Sequence, residues 1–155
     1  MFSVLISILL VNKLSKPKMR EAEYCLNLDL ENKMIKDLAS LKRIKMNIEM
    51  SDGYLIHGDY IPSKESKGLM IFTHGYTWCR EGSLKFAELA LPVGYDCYIY
   101  DLRGHGENKR VPTTMGYKES HDLHEIIEHF RKEKGPGFVI GLWGESLGAA
   151  TTLQV

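Results

Sequence analysis

The chain has 155 residues, 26% of them charged and 44% hydrophobic, values that suit one globular domain with a real core. Twenty Lys and Arg stand against twenty Asp and Glu, and no basic run is interleaved with aromatics, which argues against a nucleic-acid-binding surface. Cys25, Cys79 and Cys97 are odd in number and widely spaced, with no Cys-x-x-Cys pair, so a disulfide framework or zinc site is not expected. Reduced, structural thiols fit them best.

Residues 1–11, MFSVLISILLV, are almost wholly apolar. A bilayer-spanning helix needs about 20 such residues, so the stretch is short. It also lacks the basic leader and small-residue cleavage site of a secretory signal. Lys13, Lys16, Lys18 and Arg20 follow at once, a flank that favours a cytoplasmic body behind an N-terminal membrane anchor. Two other readings remain: an anchor whose start is missing, or a strand or helix packed on the fold. Residues 12–40 are polar with scattered Leu, Met and Ile, the pattern of a helical connector.

From residue 41 the period changes. Ile44, Met46, Ile48 and Met50 alternate with polar residues, which predicts a half-buried strand. Ser51-Asp52-Gly53 offers a turn, and residues 54–61 read as the returning strand of a hairpin. Residues 69–73, LMIFT, form an apolar run of the kind buried on both faces of a sheet. Phe86, Leu89, Ala90 and Val93 then recur at helical spacing, and Gly94 ends that helix. Residues 95–100 are strand-like again. Leu123, Ile126, Ile127 and Phe130 mark an amphipathic helix over residues 117–134, stopped by Gly135-Pro136-Gly137. Residues 138–143 are one more buried-strand run. This alternation predicts an α/β fold, with parallel strands joined by right-handed crossovers and antiparallel strands on one side.

Three constellations bear chemistry. Gly144-Glu145-Ser146-Leu147-Gly148 has the Gly-x-Ser-x-Gly spacing of a nucleophile elbow, a tight strand-to-helix turn that presents a serine. As a bare pattern it is weak. The strand before it and the helix over residues 147–155 after it strengthen it, with Gly144 and Gly148 clearing room where the two pass. An acyl-transfer site also needs two backbone N–H groups aimed at the developing oxyanion. Leu147, after the serine, offers one. Tyr76 offers the other from Thr73-His74-Gly75-Tyr76, where Gly75 allows close approach. His74 is a weak candidate for the base and a better one for ordering its loop. Asp101-Leu102-Arg103-Gly104-His105-Gly106 could mimic triad partners or metal ligands, but it reads better as a structural turn. His121, His124 and His129 are expected to face solvent, and Glu145 to point away from the site. No metal set and no cofactor is implied.

Taken in order, IFTHGYTW, YIYDLRGHGEN and GLWGESLGAAT resemble the N-terminal half of an α/β-hydrolase, over residues 41–155. They are similar above all to bacterial serine hydrolases with an N-terminal hydrophobic segment. The resemblance implies a Ser146 nucleophile, an oxyanion hole from the N–H groups of Tyr76 and Leu147, and a small-molecule ester or acyl substrate. In that fold the triad runs Ser, acid, His along the chain. Acid and His are therefore expected beyond Val155, the 155 residues read as a fragment or truncated product, and the strand before the elbow should lie at an open sheet edge. A peptidase or acyltransferase of the same fold is one rival. A non-catalytic, membrane-attached module is another.

Overall fold

The computed structural model describes residues 2–37 and 41–155. Met1 and the last three residues of the expected connector, 38–40, lie outside the described residues. Helix α1 (Phe2–Ser15) leads into α2 (Ala22–Glu31). Strands β1 (Ile44–Lys45), β2 (Ile48–Glu49), β3 (Leu55–Ile56) and β4 (Gly58–Ile61) follow, then β5 (Leu69–Thr73), α3 (Leu84–Ala90), β6 (Asp96–Tyr100), α4 (Tyr117–Lys134), β7 (Ile140–Gly144) and α5 (Leu147–Thr152).

The main sheet has the order β1-β4-β6-β5-β7. β5 is parallel to β6 and to β7, while β4 pairs antiparallel with both β1 and β6. This is the expected hairpin followed by parallel β-α-β-α-β. β7 is the edge strand of this sheet, as the resemblance implied, and for that reason none of its residues is buried, contrary to the buried-strand reading of residues 138–143. The hairpin, however, is divided. Its tip, β2 with β3, forms a separate two-stranded ribbon, although both pieces keep one continuous register. At the break the Asn47 side chain, not a backbone carbonyl, accepts from the Gly58 N–H. That side-chain substitution interrupts the ladder where strand propensity alone predicts continuity.

Alternation along β5 and β6 creates two cores, one per sheet face. Leu69, Ile71, Tyr98 and Tyr100 pack with Leu123, Ile126, Ile127 and Phe130 of α4. Phe72, Cys97 and Ile99 pack with Leu84 and Ala87 of α3. α4 has the predicted bounds and the predicted buried face. Glu119, fully buried, secures its start by accepting from the N–H groups of Gly116 (3.0 Å) and Thr114 (2.9 Å). Gly135 closes it with φ 94°, a conformation free of strain only for glycine.

Three further expectations need correction. The α3 face is rotated: Leu89 is 69% exposed and Val93 57%, whereas Leu84 and Ala87 are buried. Leu89, inside the helix, lies off the face that Leu84 and Ala87 bury, and Val93 is lost to the stripe because α3 ends at Ala90 and the 3₁₀ turn Leu91–Val93 breaks the 3.6-residue period. Second, α5 ends at Thr152 rather than Val155. Third, the alternative reading of an N-terminal segment packed on the body does not hold for residues 4–11. α1 is helical, but its side chains from Val4 onward stand in solvent. No described helix is long and apolar enough to cross a membrane. Cys25, Cys79 and Cys97 are free thiols, all buried.

Candidate active site

The elbow occupies two residues between β7 and α5. Ser146 has φ 54° and ψ −115°, a conformation that L-residues rarely adopt and that costs about 1–3 kcal/mol. Hydrogen bonds on both sides hold it there. The Glu145 N–H donates to the Thr73 carbonyl at 3.1 Å, tying the turn to β5. The Gly148 N–H donates back to the Glu145 carbonyl at 2.8 Å. The two elbow glycines are steric necessities. A Cβ on Gly144 would sit 2.3 Å from the Gly148 oxygen, and one on Gly148 would sit 2.1 Å from the Thr73 oxygen. The Ser146 side chain stands exposed at the carboxyl end of the parallel strands.

The loop after β5 comes up beside it. A Cβ on Gly75 would meet the Glu145 oxygen at 3.3 Å and the Ser146 Cβ at 3.4 Å, so this backbone passes in contact with the serine. Leu147 opens α5, where a helix leaves its first N–H groups without internal partners. Tyr76 follows Gly75 directly. Among the described residues, neither the Tyr76 nor the Leu147 N–H donates to another backbone carbonyl.

His74 is placed for order. Its Nε2 accepts from the Leu102 N–H at 2.9 Å, and its Nδ1 donates to the Gly75 carbonyl at 2.8 Å. Both ring nitrogens are thereby occupied in the neutral tautomer. Burial, with His105 5.3 Å away between ring centroids, pushes its pKa down to about 3. His74 thus ties the turn after β6 to its own loop, and both of its ring nitrogens are engaged away from Ser146.

The Asp101–Gly106 segment is likewise structural. Buried Asp101 accepts from the Arg80 N–H (2.8 Å), the Glu107 N–H (3.0 Å) and the Arg80 guanidinium. Burial alone would lower the Arg80 pKa, but Asp101, Glu81 and Asp59 around it outweigh that and raise it. Arg103 joins Asp122 at 2.6 Å and Asp52 at 2.9 Å. The glycines complete the turn: Gly106 has φ 51°, and a Cβ there would meet the Asp101 carboxyl at 2.1 Å. This ion network was missed from sequence. Arg80 finds Asp59 and Asp101, and Arg103 finds Asp52 and Asp122, about twenty or more positions away, and no local pattern links them. His121, His124 and His129 face solvent as expected. Glu145 is half exposed and lies 3.7 Å from the Lys85 ammonium. Among the described residues, no imidazole or carboxylate hydrogen-bonds the Ser146 hydroxyl.

A strand–elbow–helix with a strained serine, flanked by a glycine loop from the neighbouring parallel strand, defines a particular class of fold. The family model described as "alpha/beta hydrolase fold" matches residues 68–155. The chain belongs to the α/β-hydrolase family. It is 34% identical over 101 residues to the uncharacterized protein YqkD of Bacillus subtilis, covering 65% of this chain and 33% of that one. Among solved structures it is similar to the Pyrococcus furiosus esterase Pf2001, with TM-score 0.66, 29% identity, 74% of this chain and 46% of that one. An esterase from Exiguobacterium antarcticum shares the fold with TM-score 0.58 and 22% identity, over 72% of this chain and 39% of that one. The chain therefore spans a third to just under half of the length of these relatives.

Proposed function

We propose that this chain carries the nucleophile half of a serine hydrolase that acts on carboxylic esters. The observation that carries the reading is the Ser146 backbone. A protein does not hold a serine at φ 54° in a glycine-walled turn for packing. Ser146 attacks the ester carbonyl, and the alcohol leaves as an acyl-enzyme forms. The N–H groups of Tyr76 and Leu147 receive the negative charge that develops on the carbonyl oxygen. Water then releases the acid.

The base is assigned outside the 155 residues. His74 is spent on Leu102 and Gly75, and the family's chain order puts acid and His after the elbow. The similarity to the Pf2001 esterase supports an ester substrate over an amide. No cofactor takes part in this chemistry. A panel of p-nitrophenyl esters and peptidyl anilides, offered to the whole gene product, tests the assignment. Ester turnover abolished by Ser146→Ala is the expected result. Anilide turnover alone would make it a peptidase, and acyl transfer to an added alcohol without hydrolysis would make it an acyltransferase. The isolated 155 residues should fall short of the whole protein by at least about a thousandfold, the usual cost of losing the base.

A further inference from the structure

α1 is apolar on every side. Successive residues of a helix are 100° apart, so Val4, Leu5, Ile6, Ile8, Leu9, Leu10, Val11 and Leu14 together leave no side of it without an apolar residue. All eight are between 42% and 64% exposed. A helix that docks on a protein, or lies flat on a membrane, keeps a polar face. One that is apolar all round needs hydrocarbon all round. The 14 residues of α1 reach about 21 Å, which would bury the helix in most of one bilayer's hydrocarbon thickness without crossing it. Immediately behind it come Lys13, Lys16, Lys18 and Arg20, with no acidic residue before Glu21. That is charge of the sign that matches anionic headgroups, placed at their depth.

The helix is also fastened to the catalytic loop. The Tyr76 hydroxyl donates to the Leu14 carbonyl at 2.5 Å, and the Arg20 N–H donates to the Thr77 carbonyl at 2.9 Å. The Thr113 N–H holds the Ser15 carbonyl at 2.8 Å. The Arg20 guanidinium lies over the rings of both Tyr24 and Trp78. A groove of about 490 Å³ runs between the last turn of α1 and Tyr76, lined by Leu10, Leu14, Pro17 and the aliphatic stems of Lys13 and Lys16. It connects the apolar helix with the loop that faces Ser146.

We propose that α1 inserts into the acyl region of an anionic bilayer, with the four basic side chains among the headgroups, and that its clamp on Tyr76–Trp78 holds the oxyanion loop against that surface. Hydrophobic esters dissolved in the bilayer then reach Ser146 along the groove. The substrate half of this proposal rests on the serine-hydrolase reading; the insertion half does not.

Two measurements on the protein itself keep these apart, and neither needs activity. In the first, the protein is sedimented with vesicles of phosphatidylcholine containing a quarter phosphatidylglycerol. It should pellet with them. The double variant Leu5→Asp/Leu9→Asp should bind at least about a hundredfold more weakly, with an unchanged circular dichroism spectrum. Lys16→Gln/Lys18→Gln should weaken binding by about fivefold per charge removed. A protein that stays in the supernatant overturns insertion, as does one that forms dimers broken by the same Asp variants. In the second, Trp143→Phe leaves Trp78 as the only indole, and vesicles carry phosphatidylcholine brominated high on the acyl chain. Quenching of Trp78 in bound protein is expected. Bound but unquenched protein would show that the loop is held away from the bilayer and would overturn delivery from it. Absence of fluorophosphonate labelling at Ser146 would sink the hydrolase reading and leave both results standing.

Discussion

At the scale of single residues, Ser146 trades stability for presentation. Its φ of 54° is one that glycine adopts freely and that any Cβ resists. Ser146→Gly should therefore raise the thermal midpoint by about 2–4 °C, the effect of about 1 kcal/mol in a chain of this size, while Ser146→Ala gains nothing. Calorimetry of the two variants side by side checks this; a glycine variant less stable than the alanine one would show that the turn is not strained. His74 leads to a second prediction. Its native pKa of about 3 lies below the ordinary 6.5, so on acidification the unfolded chain takes up a proton that the native site refuses. Stability should fall as the pH drops below about 6.5, by about 1–2 kcal/mol between pH 6.5 and 5, before most carboxylates titrate. His105, also lowered by burial, acts in the same direction. In His74→Gln the slope of the urea midpoint against pH over that window should be visibly smaller. An unchanged slope would mean that His74 is accessible to protons in the folded state.

The secondary-structure elements show what could be read in advance and what could not. α4 was legible to the residue, since Leu123, Ile126, Ile127 and Phe130 keep one period between two glycines. β5 was legible because LMIFT is a short apolar run bounded by polar residues. The elbow and its loop were legible because glycine is demanded where backbones touch, and glycine is visible in a sequence. The face of α3 was not. Its apolar residues fit two overlapping stripes, and the packing of Leu84 and Ala87 with Phe72 and Cys97 decides between them. Leu84→Ala should accordingly cost about 2–4 kcal/mol and Leu89→Ala close to nothing, measured by urea unfolding. Equal costs would restore the stripe that periodicity alone suggests. The break in the β1–β4 hairpin was equally hidden, because one asparagine side chain made it. So was the fastening of α1 to Tyr76, which depends on the Leu14 carbonyl and carries no side-chain signature.

For the whole molecule, this part of an α/β-hydrolase fold is unevenly covered. Two sheet faces are filled, and the hairpin, the elbow and the Gly75 loop are assembled and braced by His74 and the Arg80 network. Trp143, on the edge strand β7, is 48% exposed, and Ser146 stands open beside it. The strained turn at Ser146 is thus held by this half of the fold alone, because its hydrogen bonds and glycine contacts are all internal to residues 73–150. On the serine-hydrolase reading proposed above, Ser146 is the nucleophile and lacks only a base. Labelling with a fluorophosphonate tests this most directly: the whole gene product is treated with the reagent, digested, and the modified peptide identified by mass spectrometry. A single adduct on Ser146, lost in Ser146→Ala and in protein unfolded beforehand, is the predicted result. No adduct, or an adduct on another residue that survives Ser146→Ala, would contradict it.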